Sequence, residues 1–337
     1  MSDLNRTSSI AAAPPPTASA SQAQGTGGPS ARSAQQAQLQ HWIAVRPDAP
    51  ALLHKRNGHW HAWRWRDVPP LMDAWAALGA QHGLGPGATL AVSGALEPDL
   101  IALTLAAWRL GARVAEVDPA LQSDALAARL QAAAPTHAFV QARRAVADWQ
   151  RCATAAGTGW LLLPQVPGAS ASDGPWQTAA IDRSAIEYAA PGVIARLPGL
   201  QAALRGQDTL WVEEGTQWRG GLELALQEWL GSGAVLAAPE SEDCAARDRR
   251  ELAPRRVLAS SERRQHWQAD LKARWPVAGS WQHALLERWV QRPDGLAGRW
   301  LRQRLGRLEG LPAQDLPPLA VPAPRGIGST AGEEALA

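Results

Sequence analysis

Between residues 88 and 140 the chain repeats one unit, a short apolar strand followed by a helix with apolar periodicity. The pattern predicts strands over 88–93, 112–117 and 136–140, and helices over 98–110 and 123–133, the second with Ser123 as its N-cap. Strands this short and this apolar have to be covered on both faces, and parallel neighbours need a crossover helix between them. The fold class is therefore α/β, with mostly parallel sheets and covering helices. The alternation returns further on, with strands over 209–212, 234–237 and 256–259 and helices over 220–230 and 261–274. A short helical turn over 247–252 and a Trp- and Arg-rich helical stretch over 281–308 complete it.

Ahead of the first repeat, a helix is expected over 35–45, stopped by Pro47 and Pro50. Two strands, 51–54 and 60–65, flank Asn57-Gly58, whose ready access to positive φ favours a two-residue hairpin. A helix from Asp67 carries Val68, Leu71, Trp75 and Leu78 at helical spacing and should end toward Gly79.

The organisation expected is a disordered low-complexity tail over 1–37, a first α/β subdomain over 38–142 and an irregular connecting segment over 143–207. A second α/β subdomain over 208–310 and a Pro-rich tail over 311–337 follow. Within the connecting segment only the apolar run Trp160–Leu163 stands out.

Charge names no partner, because 33 basic against 31 acidic residues leave a formal net charge of +2. Nucleic acid is not an expected partner. No window is long and apolar enough for a membrane span, and the N-terminus lacks the pattern of a secretory signal, so a cytoplasmic location is expected. Lys55 and Lys272 are the only lysines, which leaves almost all positive charge on guanidinium groups. Cys152 and Cys244 fit neither a disulfide framework nor a zinc site. With 17 Trp beside one Phe and one Tyr, the core must be built from Leu, Ala, Val and Trp.

The ordered set Gly83–Gly87, Leu90–Ser93, Glu97–Leu100, Ala106–Ala112 and Val117–Pro119 resembles the N-terminal region of the AMP-dependent, adenylate-forming synthetases. Arg46–Ala51 and the Trp63–Trp65 strand resemble that family's opening, and Trp229–Leu236, Pro239-Glu240, Glu251–Pro254 and Val257–Ser260 resemble its long-chain acyl-CoA synthetase branch. The resemblance covers residues 40–140 and 208–305. It implies the family's N-terminal fold and, in an intact member, ATP-dependent ligation of an acid to a thiol.

The departures fall on the catalytic motifs. The family holds ATP phosphates with a Ser/Thr/Gly-rich loop followed by Lys, since a polyanion needs backbone N–H groups and a cation. Only Gly157–Gly159 and Gly168–Gly174 approach that composition, and no lysine follows either. The family's aromatic-Gly-Ser/Thr-Thr-Glu motif has a faint counterpart in Gly326–Ala331, with Ile327 where the aromatic belongs and Ala331 where the glutamate belongs. The small C-terminal domain, with its catalytic lysine and ribose-binding Asp, has no counterpart.

The expectation is a shortened relative without catalytic residues or resident cofactor, acting as a pseudoenzyme on an acyl ligand or a protein partner. Two alternatives stay open. A weakly active ligase would bind ATP, AMP and magnesium through arginines such as Arg205 or Arg219, and a decayed gene product would fold poorly.

Of the remaining candidates, Trp211, Glu214 and Trp218 are placed as possible linings of a surviving cavity. Glu213 and Glu214 follow a strand, where paired acids suit acid–base work and equally suit a solvated loop. His54, His59 and His61 read as surface histidines rather than a metal site. Trp281, Trp289 and Trp300, interleaved with arginines, read as packing of a helical subdomain, with peripheral membrane contact as the alternative.

Overall fold

The computed structural model describes residues 29–153, 159–163, 176–181, 192–194, 207–277, 279–290 and 295–312, with isolated positions 157, 199, 200, 202, 204 and 316. The first half comprises α1 (Pro29–Val45), β1 (Pro50–Arg56), β2 (His59–Arg64), α2 (Val68–Gln81), β3 (Thr89–Ser93), α3 (Pro98–Arg109), β4 (Arg113–Glu116), α4 (Ser123–Ala133), β5 (His137–Val140) and α5 (Val146–Ala153). It continues with β6 (Gly159–Leu163), β7 (Trp176–Ala180), β8 (Gly192–Ile194), β9 (Thr209–Val212), α6 (Gly221–Ser232) and β10 (Val235–Ala238). The last elements are α7 (Ala245–Leu252), β11 (Arg256–Leu258), α8 (Ser261–Ala273), α9 (Trp281–Val290) and α10 (Leu296–Glu309).

Two sheets form. One runs β4-β3-β5-β6-β7 and is parallel throughout. The other runs β11-β9-β10-β1-β2-β8, parallel from β11 to β1 and antiparallel beyond. Both are covered on both faces, which is why β3, β5, β9 and β10 are buried along their whole length. In the second sheet Leu52, Leu210, Val212 and Leu236 face the same core as Leu90, Val92, Phe139 and Leu162 of the first, with α2, α3 and α6 packed between the sheets. Alternate residues point away, Leu53, Trp211, Val235 and Val257 toward α7 and α8, and Ala138, Val140 and Leu161 toward α4 and α5.

Trp65, Trp75, Trp176, Trp211 and Trp229 are among the largest fully buried side chains. Burying an indole leaves an N–H to satisfy. That of Trp229 donates to Ala51 O at 3.1 Å while its ring stacks on Trp65 with centroids 5.0 Å apart. That of Trp75 donates to Asp99 at 3.2 Å. Asn57 and Gly58 turn the β1–β2 hairpin with φ of 50° and 74°, as the dipeptide predicted.

Several expectations are corrected. Helix α1 begins at Pro29, inside the stretch expected to be a tail, and its Trp42 Nε1 donates to Leu230 O on α6 at 2.6 Å. Helix α2 runs through Gly79 to Gln81, because the glycine is there for close approach: a Cβ on it would lie 2.8 Å from the Leu84 side chain. Ser123 is not an N-cap; it is the first residue of α4, at φ 47°, and no side chain caps that helix.

The segment 143–207 is not an irregular connection, since it supplies α5, the two outer strands β6 and β7 of the all-parallel sheet, and β8. Nor do the subdomains divide at 142 and 208, because β1 of the first half pairs in parallel with β10 of the second. In the expected C-terminal tail, Leu311 and Leu316 are buried against the outer face of the mixed sheet.

Candidate functional site

Ligands in open α/β sheets bind beyond the carboxyl ends of the parallel strands. Here those ends meet. The loops after β3 and β9 cross at Gly94, where Thr216 N donates to Gly94 O at 2.9 Å and Gly94 N donates to the Thr216 hydroxyl at 3.0 Å. The same hydroxyl donates to Val117 O, just past β4, at 2.7 Å. One threonine thus ties the two sheets together, and an open cleft of about 720 Å³ lies beside the knot.

The cleft is lined by Asp118–Ala120 after β4, Glu214 and Gln217–Arg219 after β9, Glu242 after β10, Ser260–Arg263 after β11, and His266 on α8. Of the residues singled out from sequence, Glu214 and Trp218 are part of this lining. Trp211 is not: it sits within the strand on the outer face of the mixed sheet, fully buried, with its N–H donating to Glu213 at 3.1 Å. The sequence signal that would have added Ser260 is its position between a strand and a helix, where a hydroxyl caps.

The paired acids are not solvated loop charges. Glu213 is buried and accepts hydrogen bonds from the indoles of Trp211 and Trp267, at 3.1 and 3.0 Å, and from Arg249. Burial holds the Arg249 guanidinium below its usual pKa despite that carboxylate. Glu214 accepts from Ser260 N and from Ser260 Oγ, both at 2.6 Å, and Ser260 Oγ in turn accepts from Arg263 N at 3.0 Å as the N-cap of α8. Arg263 pairs with Glu242; burial pulls its pKa down, but the hydrogen bond to Glu242 and the charge of Glu213 win and raise it.

A second carboxylate caps a second helix. Glu116, at the end of β4, accepts from Gly220 N at 2.7 Å and from the backbone of Leu222 and Glu223, at the N-terminus of α6. Burial outweighs these bonds and pushes its carboxyl up to about 7. A carboxyl raised this way takes up a proton on folding, so stability falls as pH rises from about 4.5 toward 7. Glu116→Gln should remove that slope in thermal melts and be the more stable protein above pH 7, by on the order of 1–3 kcal/mol.

Among the described residues lining the cleft, no serine hydroxyl is bonded to a histidine. The proton of Ser260 is directed at Glu214, and His266 instead lies 3.7 Å from Asp270. Among the described residues no group of three or more His, Cys, Asp or Glu is placed to hold a metal ion. His54, expected at the surface, is buried with its ring stacked on His61 at 5.1 Å, because β1 is an inner strand of the sheet.

Gly157 and Gly159 lie at the entry to β6, the opposite end of the sheet from the cleft, and Trp176 fills the space a Cβ on Gly159 would need. Trp176 Nε1 donates to Gly157 O at 2.9 Å. The other two loop candidates, Gly168–Gly174 and Gly326–Ala331, and Arg205 lie outside the described residues.

Comparison with protein families matches residues 39–181 to the AMP-binding enzyme family. That stretch is similar to the AMP-binding enzymes. It carries the whole all-parallel sheet, the hairpin, the end of α1 and α2 to α5. Comparison with curated proteins finds no match.

Among solved structures, the A domain of carboxylic acid reductase from Segniliparus rugosus, in complex with AMP and a co-purified carboxylic acid, is similar with a TM-score of 0.54 at 14% identity. The match covers 83% of this chain and 58% of that one. The acyl-CoA synthetase of Brucella canis is similar at TM-score 0.50 and 16% identity, over 68% of this chain and 48% of its own. The acetoacetyl-CoA synthetase of Streptomyces lividans is similar at TM-score 0.50 and 16% identity, over 71% and 44%. The fold is therefore that of adenylate-forming enzymes beyond the AMP-binding stretch as well, and the chain spans about half the length of these neighbours.

Proposed function

We propose that the chain is a ligand-binding relative of the adenylate-forming enzymes that does not activate an acid by itself. The observation that carries this reading is that the anion seats beside the cleft are filled by the protein's own groups. The N-terminus of α6 is taken by Glu116, and that of α8 by Ser260 backed by Glu214. A nucleotide phosphate would have to displace a carboxylate from the first and a hydroxyl held by a carboxylate from the second.

The cations do not fit a triphosphate either. Lys55 is buried away from the cleft between Asp248 and Glu251, at 2.8 and 2.5 Å, and Lys272 is exposed in the last turn of α8. Arg263 is committed to Glu242 and faces Glu213. The ligand that suits the remaining space is a small acyl or other organic molecule stacked against Trp218.

The test is a titration followed by tryptophan fluorescence and calorimetry, with Trp218→Phe as the control for signal from the cleft. ATP-Mg and AMP are expected to show no saturable binding up to about 1 mM, a free energy of roughly −4 kcal/mol. Acyl ligands are expected to give a saturable signal that Trp218→Phe removes. Nucleotide binding below that concentration, or pyrophosphate exchange dependent on an acid, would overturn the reading. The exposed Arg219 at the cleft is the feature that favours a residual AMP site, and loss of such binding in Arg219→Glu would establish it.

A further inference from the structure

Of the eight large apolar side chains exposed among the described residues, six lie between residues 277 and 308: Val277, Trp281, Leu285, Leu296, Trp300 and Leu308. This concentration is not the scatter of single exposed apolar residues that any surface shows. Helix α10 explains it. Its inner face, Gly298, Leu301 and Gly306, is buried, and Arg249 Nε donates to Glu309 O at 2.9 Å where the helix ends against α7. On the outer face Leu296 and Trp300 are neighbours one turn apart, with Arg299 and Arg304 to either side and Arg307 in line with them.

The exposures decide the matter: Leu296 is 82% exposed, Trp300 52% and Trp281, on the adjoining helix, 74%. The contacts of Trp300 leave it outside the core, since it meets Trp289 edge-on at 5.9 Å and carries Arg304 over its ring at 5.5 Å. The subdomain packing expected from sequence thus accounts for Leu301 but not for Leu296 or Trp281.

Charge says what covers this face. Arg288, Arg299, Arg302, Arg304 and Arg307 are all exposed. The two acids described in α9 and α10 are both accompanied, Glu287 by His283 at 3.8 Å and Glu309 by Arg274 at 2.8 Å. A chain with a formal net charge of only +2 therefore presents a locally cationic face studded with aliphatic and indole side chains. No described helix is long and apolar enough to cross a membrane.

We propose that the outer face of α9 and α10 docks on an anionic lipid surface. Trp300, Leu296 and Trp281 enter the headgroup–acyl boundary and the arginines meet lipid phosphates and carboxylates. A polynucleotide would engage the arginines but offers little apolar surface to a row of aliphatic side chains, so a bilayer matches the whole face better.

The experiment is flotation of the full chain with vesicles of phosphatidylcholine containing about 30 mol% phosphatidylserine. Binding is expected to be about tenfold weaker to phosphatidylcholine alone, and to weaken about tenfold between 0.1 and 0.5 M salt. Leu296→Ser alone should weaken it severalfold and Leu296→Ser with Trp300→Ser about tenfold, with the melting temperature of the first unchanged because its side chain is solvent-exposed. Arg299→Glu with Arg304→Glu should remove the preference for anionic vesicles. Absence of flotation, equal binding to both vesicle types, or full binding by the Leu296 and Trp300 variants overturns the proposal. So does binding of a DNA duplex, lost in the arginine variants, by a chain that does not float.

Discussion

Gly215→Ala is expected to lower stability by about 3 kcal/mol or more and to disorganise the cleft. A Cβ on Gly215 would lie 2.1 Å from Gly94 O and 2.9 Å from the Ala95 Cα, and both obstacles are backbone that no rotamer change can move aside. Relief requires the β3 and β9 loops to part, which breaks the bonds between Thr216 and Gly94. The joint between the sheets is therefore the weak point, not either sheet. Chemical denaturation should show a lowered midpoint, and Trp218 fluorescence should change under native conditions because its loop leads out of that joint. Thr216→Val, which keeps volume but loses the bonds to Gly94 N and Val117 O, should cost about 2–3 kcal/mol without the steric part. A Gly215→Ala protein as stable as the parent would mean that the loops are not in this close contact.

Removing the partner of Glu213 should be comparably severe. Arg249→Met leaves a carboxylate with 2% exposed side chain facing two indole donors and only the more distant Arg263, 3.6 Å away. Breaking one side of a buried pair costs about 3–5 kcal/mol, because the remaining charge keeps its desolvation penalty. Glu213→Gln keeps an acceptor for the indoles, so Arg249→Met combined with Glu213→Gln should lose less than the sum of the single changes. Additive losses in urea unfolding would contradict the pairing. The buried pair joins β9 to α7 and, through the Arg249 contact with Glu309 O, to the end of α10. The same variants should thus loosen the helix that carries Trp300, which hydrogen exchange would register.

The strands over 88–140 and 209–259 were legible because short apolar runs such as Leu90–Val92, Leu210–Val212 and Val235–Ala238, bounded by turn residues, are a local property. The hairpin at Asn57-Gly58 was legible for a similar reason, since positive φ is a property of the residue. The segment 143–207 was not. Val146–Ala153 places Val146, Trp149, Cys152 and Ala153 on one face, but at eight residues it is shorter than the window over which helical periodicity is legible. Trp176–Ala180 contains Gln177 and Thr178, so it reads as a strand only once β6 is beside it.

At the cleft the difference is sharper. Glu214 and Trp218 could be nominated from their place after a strand, but Trp211 could not be separated from them, because inward and outward positions alternate residue by residue and look alike until the sheet has a face.

What the sequence determined by itself is the run of elements over 50–140 and 209–274 and the likeness of residues 39–181 to AMP-binding enzymes, both of which rest on residue type and near-neighbour spacing. Tertiary structure alone decided that β1 joins β10 across more than half the chain and that Thr216 knots the two sheets together. It also decided that Glu116 and Ser260, the latter held by Glu214, occupy the helix ends a phosphate would seek. Each of these is a contact between distant residues whose partner is chosen by how whole sheets stack, and no local pattern carries that information.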